Sequence, residues 1–211
     1  MFEDFEMHDL AASRNNENID INREQLLLEA RLDMLKTFKP NIYATVHSIG
    51  TVSKAIGEML NIREAQFYLA GYYANFGILS VEKLYKKDTV LLPEERDIIK
   101  MHSSTSMDFL LQQELNIAAE IVYYHHEFPS GKGYHRAQKL RYEEAYYIHM
   151  AELFVESIIP KRYRPGYNRE MAIEWALEGF GSIDRIISKE RIRDIKEILD
   201  AIELPELGVI R

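Results

Sequence analysis

The residues best equipped for chemistry are histidines. Four of the seven, His47, His102, His125 and His126, lie inside or at the end of apolar segments, while His8 and His135 sit in polar surroundings and His149 follows Tyr146 and Tyr147. Neutral imidazole is a favoured ligand for zinc, iron, nickel and copper. In "IVYYHHEFPSGKGYH", residues 121–135, His125 and His126 stand together at the end of an apolar run, where a loosened turn lets two ring nitrogens reach one point. The same pattern suits hydrogen-bonded core histidines or an aromatic and polar surface strip, so residue types alone leave the readings open. A second candidate is "PKRYRPGY", residues 160–167, with three cations and two tyrosines in a proline-bounded loop. Such a set can hold phosphate and stack a base, or it can be a solvated surface loop. The tyrosine pairs 72–73, 123–124 and 146–147 can line a nucleotide pocket, although tyrosines at helical spacing are usually half-buried core.

The elements that must position these residues are helices. From Ile21 onward the apolar spacing has a helical period, as in Ile42, Val46, Ile49, Val52, Ile56 and Leu60, and strand alternation is nearly absent. Punctuation at Pro40, Pro93, Pro129–Gly133, Pro160–Gly166, Gly179–Gly181 and Pro205 divides the chain into about seven or eight helices. The expectation is an all-α bundle over residues 21–200, preceded by a polar, Asn-rich arm over 1–20 and followed by a tail over 201–211. The stretch "SKERIRDIKEILDAIELPEL" reads as an amphipathic helix that closes the bundle.

With 211 residues, 46% of them hydrophobic, the chain can bury a sizeable core as one domain. A net charge of -8 argues against a general affinity for nucleic-acid polymers or anionic membranes, so an anionic ligand must be gripped locally. The absence of cysteine removes disulfides, thiolate zinc sites and thiol nucleophiles together. No stretch reaches the roughly 20 apolar residues of a membrane span, and the acidic N-terminus has no apolar signal core. A cytoplasmic location is expected.

The motifs fall in the order of a known family. "HHEFPSGKGYH" resembles the HHE-x-DGxGYP signature of HD-GYP domains, all-helical members of the HD phosphohydrolase superfamily that hydrolyse cyclic di-GMP. "VHSIGTVSKAIGEMLNI" resembles the opening helix of that family, "LAGYYANFGILS" its LLHDIGK segment, and "LLPEERDIIKMHSSTSMDFL" its LTxEExxxIKxHPxxGxxIL segment. "AELFVESIIPKRYRPGYNREMAIEWA" resembles ADxFDALTSxRPYRxxxxxEEAL. The likeness spans roughly residues 40–180.

Carried across position by position, the resemblance implies a damaged metal centre. His47, His102, His125 and His126 match the family's metal histidines, and Glu152 takes the place of its late aspartate. The namesake pair is replaced by Ala74 and Asn75, the following lysine by Ile78, and Tyr43 stands where some members carry a further glutamate. The loop keeps Gly131, Gly133 and Tyr134, with Ser130 for aspartate and His135 for proline, while Lys161 stands for the first arginine of RPYR and Tyr163 and Arg164 match. The missing aspartate is a two-oxygen bridge between two ions, which the neutral Asn75 does not replace. The resemblance thus implies either one divalent iron, manganese or zinc ion on His102, His125 and His126, or none. The function expected is a non-hydrolysing signalling domain that senses cyclic di-GMP or a related nucleotide through Gly131, Gly133, Tyr134, Lys161, Tyr163 and Arg164, or docks a protein. The competing expectations are an active phosphodiesterase with an incomplete centre and a purely structural partner protein.

Overall fold

A computed structural model describes residues 20–62, 65–87, 89–128, 130–135, 140–160, 164–178 and 187–204. Among them the regular structure is helical throughout: α1 (Ile21–Phe38), α2 (Pro40–Met59), α3 (Ala65–Tyr73), a 3-10 helix (Phe76–Val81), α4 (Glu82–Tyr85), α5 (Pro93–Gln112), α6 (Asn116–Tyr123), α7 (Glu144–Ile158), α8 (Arg169–Glu178) and α9 (Lys189–Ala201). The all-α expectation holds. Eight of these helices run eight residues or more, and the single-turn α4 comes in addition because the 3-10 helix runs directly into it.

The boundaries follow from local chemistry. Asp20 caps α1 by accepting from the Arg23 backbone N–H at 3.1 Å, and Ser188 does the same for α9 with Arg191 at 3.3 Å. Pro40 and Pro93 open α2 and α5, where a missing N–H costs nothing. Glu95 reaches back to the Leu92 N–H at 2.9 Å and so secures the start of α5.

Helix α7 runs through the core, with eleven of its fifteen residues buried. Helix α2 packs against α1, α3, α7 and α9, and its apolar face, Ile42, Val46, Ile49, Val52 and Ile56, is buried at the spacing read from the sequence. Ile195, Ile198 and Leu199 of α9 face inward and close the bundle against α2 and α8. The main cluster of buried hydrophobic residues extends from Leu28 to Leu199. The arm expected over 1–20, apart from Asp20, and the tail from residue 205 lie outside the described residues. No helix among the described residues is long and apolar enough to cross a membrane.

Candidate metal centre

Three elements bring four donor side chains to one point. His102 lies midway along α5, His125 and His126 lie in the turn just after α6, and Glu152 lies on the buried face of α7. The turn forms because the α6 hydrogen-bond pattern ends at Tyr124, and the two histidines that follow then point their rings the same way. The His102 and His125 Nε2 atoms are 3.3 Å apart, those of His102 and His126 3.2 Å. Glu152 Oε2 lies 3.2 Å from His126 Nε2 and 3.6 Å from His125 Nε2. Each of the four residues is buried, and one donor atom from each lies within 4.8 Å of the others.

The hydrogen bonds around this group prepare it for a cation. His102 Nδ1 lies 2.8 Å from the Ile99 carbonyl and His125 Nδ1 2.5 Å from the Val122 carbonyl. A carbonyl only accepts, so Nδ1 carries the proton in both rings and each Nε2 presents a lone pair. Two lone pairs facing each other at 3.3 Å share no hydrogen, and a positive ion between them resolves the conflict. Burial, and then neighbouring imidazoles, hold His125 and His126 well below the usual histidine range, and burial lowers His102 as well. The rings are therefore neutral, the form that binds metal. A tetrahedral ion with bonds of about 2.0–2.1 Å separates its ligand atoms by about 3.3–3.4 Å. The four separations given above, 3.2 to 3.6 Å, lie close to that requirement.

The stretch from Ala74 to Ile78 supplies no charge. Asn75 is buried, its Nδ2 donating to Glu152 Oε1 at 3.1 Å while its Oδ1 has no partner among the described residues. Ala74 is fully buried, and its carbonyl accepts from Ser106 Oγ. Ile78 packs with Leu35, Ile42 and Val46 and presents only carbon to the site. The structure does not bring His47 into the group. Its ring lies 5.1 Å from Tyr43 and 6.0 Å from Tyr72, on a separate cleft of about 610 Å³ between α1, α2 and α3. With alanine and asparagine at 74 and 75 no ion-centred pull acts on that imidazole, and it settles among tyrosines.

The loop after α6 folds over the cluster. Gly131 turns it with a φ of 67°. A Cβ on Gly133 would lie 2.4 Å from the His126 carbonyl oxygen and the Glu127 Cα, so only glycine permits this approach. Glu127, fully buried, accepts the His135 N–H and ties the loop to the histidine turn. The Tyr134 ring stacks on His126 at 4.2 Å and meets His102 edge-on, so it covers the cluster rather than standing free as a platform. Arg164 donates to the carbonyls of Glu156 at 2.6 Å, Ser157 at 3.2 Å, Pro165 at 3.3 Å and Ile159 at 3.5 Å, which fixes the end of α7. Lys161 and Tyr163, the other two residues of this loop expected to bind ligand, lie outside the described residues.

A cavity of about 240 Å³ opens beside the cluster, lined by His102, His126, Tyr134, Glu152 and Arg164 together with Ile78, Tyr85 and Glu156. Sequence reasoning missed Tyr85 and Glu156. The available signal was the four-residue spacing of Glu152 and Glu156, which places both carboxylates on one face of α7. It also left Glu127 without a role, since an acid beside two histidines looks like a ligand when it is in fact a loop anchor.

The family described as HD domain matches residues 27–174. No curated protein matches the chain. Among solved structures, the chain is similar to the HD domain of the L. monocytogenes phosphodiesterase PgpH, with a TM-score of 0.61 at 13% identity over 81% of this chain and 95% of that one. It is similar too to the same domain in complex with cyclic-di-AMP, with a TM-score of 0.60 at 14% identity over 81% and 93%. At this level of identity the likeness concerns the fold.

Proposed function

The chain belongs to the HD domain family, and from that premise we propose that it is a degenerate, HD-GYP-like signalling domain whose centre holds one divalent iron, manganese or zinc ion and does not turn over cyclic dinucleotides. The observation that carries this reading is the asymmetry of the site. Three imidazoles and one carboxylate converge on one point, while the facing wall offers Ala74, Ile78 and the neutral Asn75. His102, His125, His126 and Glu152 would hold the ion, and Asn75 would steady the carboxylate. When bound, such an ion supplies a Lewis acid that can grip a phosphoryl oxygen. A second, bridged ion would lack the charged bridge that an aspartate at position 75 supplies, and no lysine stands at position 78 to offset developing charge.

The ligand on this reading is cyclic di-AMP, cyclic di-GMP or a related nucleotide, with a protein docked at the loop as the other use of the site. The solved complex of the PgpH domain with cyclic-di-AMP favours the first. Binding would be weak and salt-sensitive, because the chain carries a charge of -8 and Arg164 is largely engaged by carbonyls. The cavity, about 240 Å³, falls below the roughly 300–1,000 Å³ of sites that enclose a drug-sized ligand, so one phosphoryl group enters and the rest of the nucleotide stays outside. The domain on this proposal spans 21–200, and the lack of cysteine suits a cytoplasmic setting.

Metal analysis of the purified protein, followed by turnover assays with cyclic di-AMP and cyclic di-GMP, tests the reading. One equivalent of metal, lost in His126→Ala, and no turnover are expected. Two equivalents, or hydrolysis at an ordinary enzymatic rate of about 1 per second, would support the active phosphodiesterase instead.

A further inference from the structure

We propose that residues 1–10 of this chain dock on the outward face of α1 and on the lysines beside its C-terminal end. Leu26, Ala30, Met34 and Phe38 recur at every fourth position of α1 and so form a row along one side of it. The large members are well exposed, Leu26 at 67%, Met34 at 62% and Phe38 at 71%, and none of them belongs to a core cluster. Leu28 and Leu35, on the inward side, are the apolar residues that α1 buries. The outward row therefore does nothing to hold α1 to the bundle. Single exposed apolar residues need no explanation, but a continuous row of them along a helix marks a contact surface.

The far end of the row is basic. Lys39 follows Phe38 directly, and Lys39 and Lys86 share one carboxylate, that of Glu82, at 2.5 and 2.6 Å. Lys83 is exposed on the same short helix, and Leu79 is exposed just before it. Leu35 and Ile78 pack in one cluster, which sets the 3-10 helix and α4 beside this end of α1. The surface thus offers apolar side chains along its length and an excess of lysine at its end.

Residues 1–10, "MFEDFEMHDL", fit both parts. They carry Met1, Phe2, Phe5, Met7 and Leu10 together with Glu3, Asp4, Glu6 and Asp9, and no lysine or arginine. The described chain begins at Asp20, the cap of α1, at the opposite end of the row. The 18 residues of α1 span about 27 Å, and residues 11–19 extend to about 30 Å. That reach returns residues 1–10 to Phe38 and the lysines. The cleft on the other side of α1 suits them less, because Glu29 and Glu58 outnumber Lys54 in its lining and would repel four acids.

Methionine oxidation by dilute hydrogen peroxide, mapped on the full chain by peptide mass spectrometry, tests the proposal, since a covered thioether reacts slowly. Met34 is 62% exposed and Met171, on α8, 48%, so with the row bare Met34 reacts at least as fast. In wild type at low salt Met34 is expected to react several-fold more slowly than Met171. The difference is expected to vanish in the double variant Phe2→Asp, Phe5→Asp and to shrink in Lys83→Glu. Met171 guards against misfolding, because a variant that unfolds speeds both residues. Met34 reacting as fast as Met171 in wild type overturns the proposal. Protection that survives the double variant overturns it too and points to another cover, such as α1 of a second copy. Protection lost on dilution assigns the docked segment to a second copy, and protection indifferent to Lys83→Glu moves it away from the lysines; either result overturns the placement.

Discussion

At the scale of single residues, Asn75 shows how a neutral side chain can orient a carboxylate. Its Nδ2 donates to Glu152 Oε1 at 3.1 Å, leaving the other carboxylate oxygen directed at His125 and His126. Partners that orient a metal ligand typically contribute 10–100-fold to affinity. Asn75→Ala is therefore expected to weaken metal binding by about tenfold or more, read by competition with a chelating dye. Much of this residue-level chemistry was legible beforehand, since His102, His125, His126 and Glu152 could each be placed by motif order. The position of His47 was not. Whether an imidazole turns toward an ion or toward Tyr43 and Tyr72 depends on what stands at 74 and 75 in three dimensions. Tyr85 and Glu156 escaped because one sits in a single-turn helix and the other in an apolar run, and neither has a motif of its own.

At the scale of elements, the site depends on how closely the 3-10 helix approaches α5. A Cβ on Gly77 would lie 2.1 Å from the His102 carbonyl oxygen, and the Gly77 N–H is satisfied by Ser106 Oγ at 2.7 Å. Glycine there lets the segment carrying Asn75 and Ile78 lie directly on the helix carrying His102. Gly77→Ala is expected to push the two apart, costing about 1–3 kcal/mol as other overpacked sites do and weakening metal uptake together with stability. Urea unfolding and a metal titration on the same variant check both effects, and an alanine variant with wild-type stability would show that the approach is looser than described. The long helices were readable because their apolar residues repeat at 3.6, as in α2. The 3-10 helix and the turn holding His125 and His126 carry no periodic signal, and their geometry is imposed by the helices they join.

At the scale of the whole molecule, the fold buries more histidine than it can keep charged. His149 is buried and held down to about 3, and His135, partly enclosed by the loop, to about 4, in both cases chiefly by burial. In the unfolded chain both titrate near 6.5. Between these values the unfolded state binds protons that the folded state refuses, so stability rises with pH in that window. Above about pH 6.5 both states are neutral at these positions and stability is full; as the pH falls toward 4 and then 3 it is progressively lost, with His149 alone worth roughly 4 kcal/mol at the acid end. Because protons also compete with metal for His102, His125 and His126, the measurement belongs on chelator-treated protein, where only the folding equilibrium responds. Urea midpoints of the metal-free chain are expected to fall steadily from pH 7 to pH 4.5, and His149→Phe, which fills similar space against His126 and Phe128 without a titrating group, should flatten that slope. A midpoint independent of pH over this range would mean that His149 is hydrated or paired in a way that lets it protonate in place.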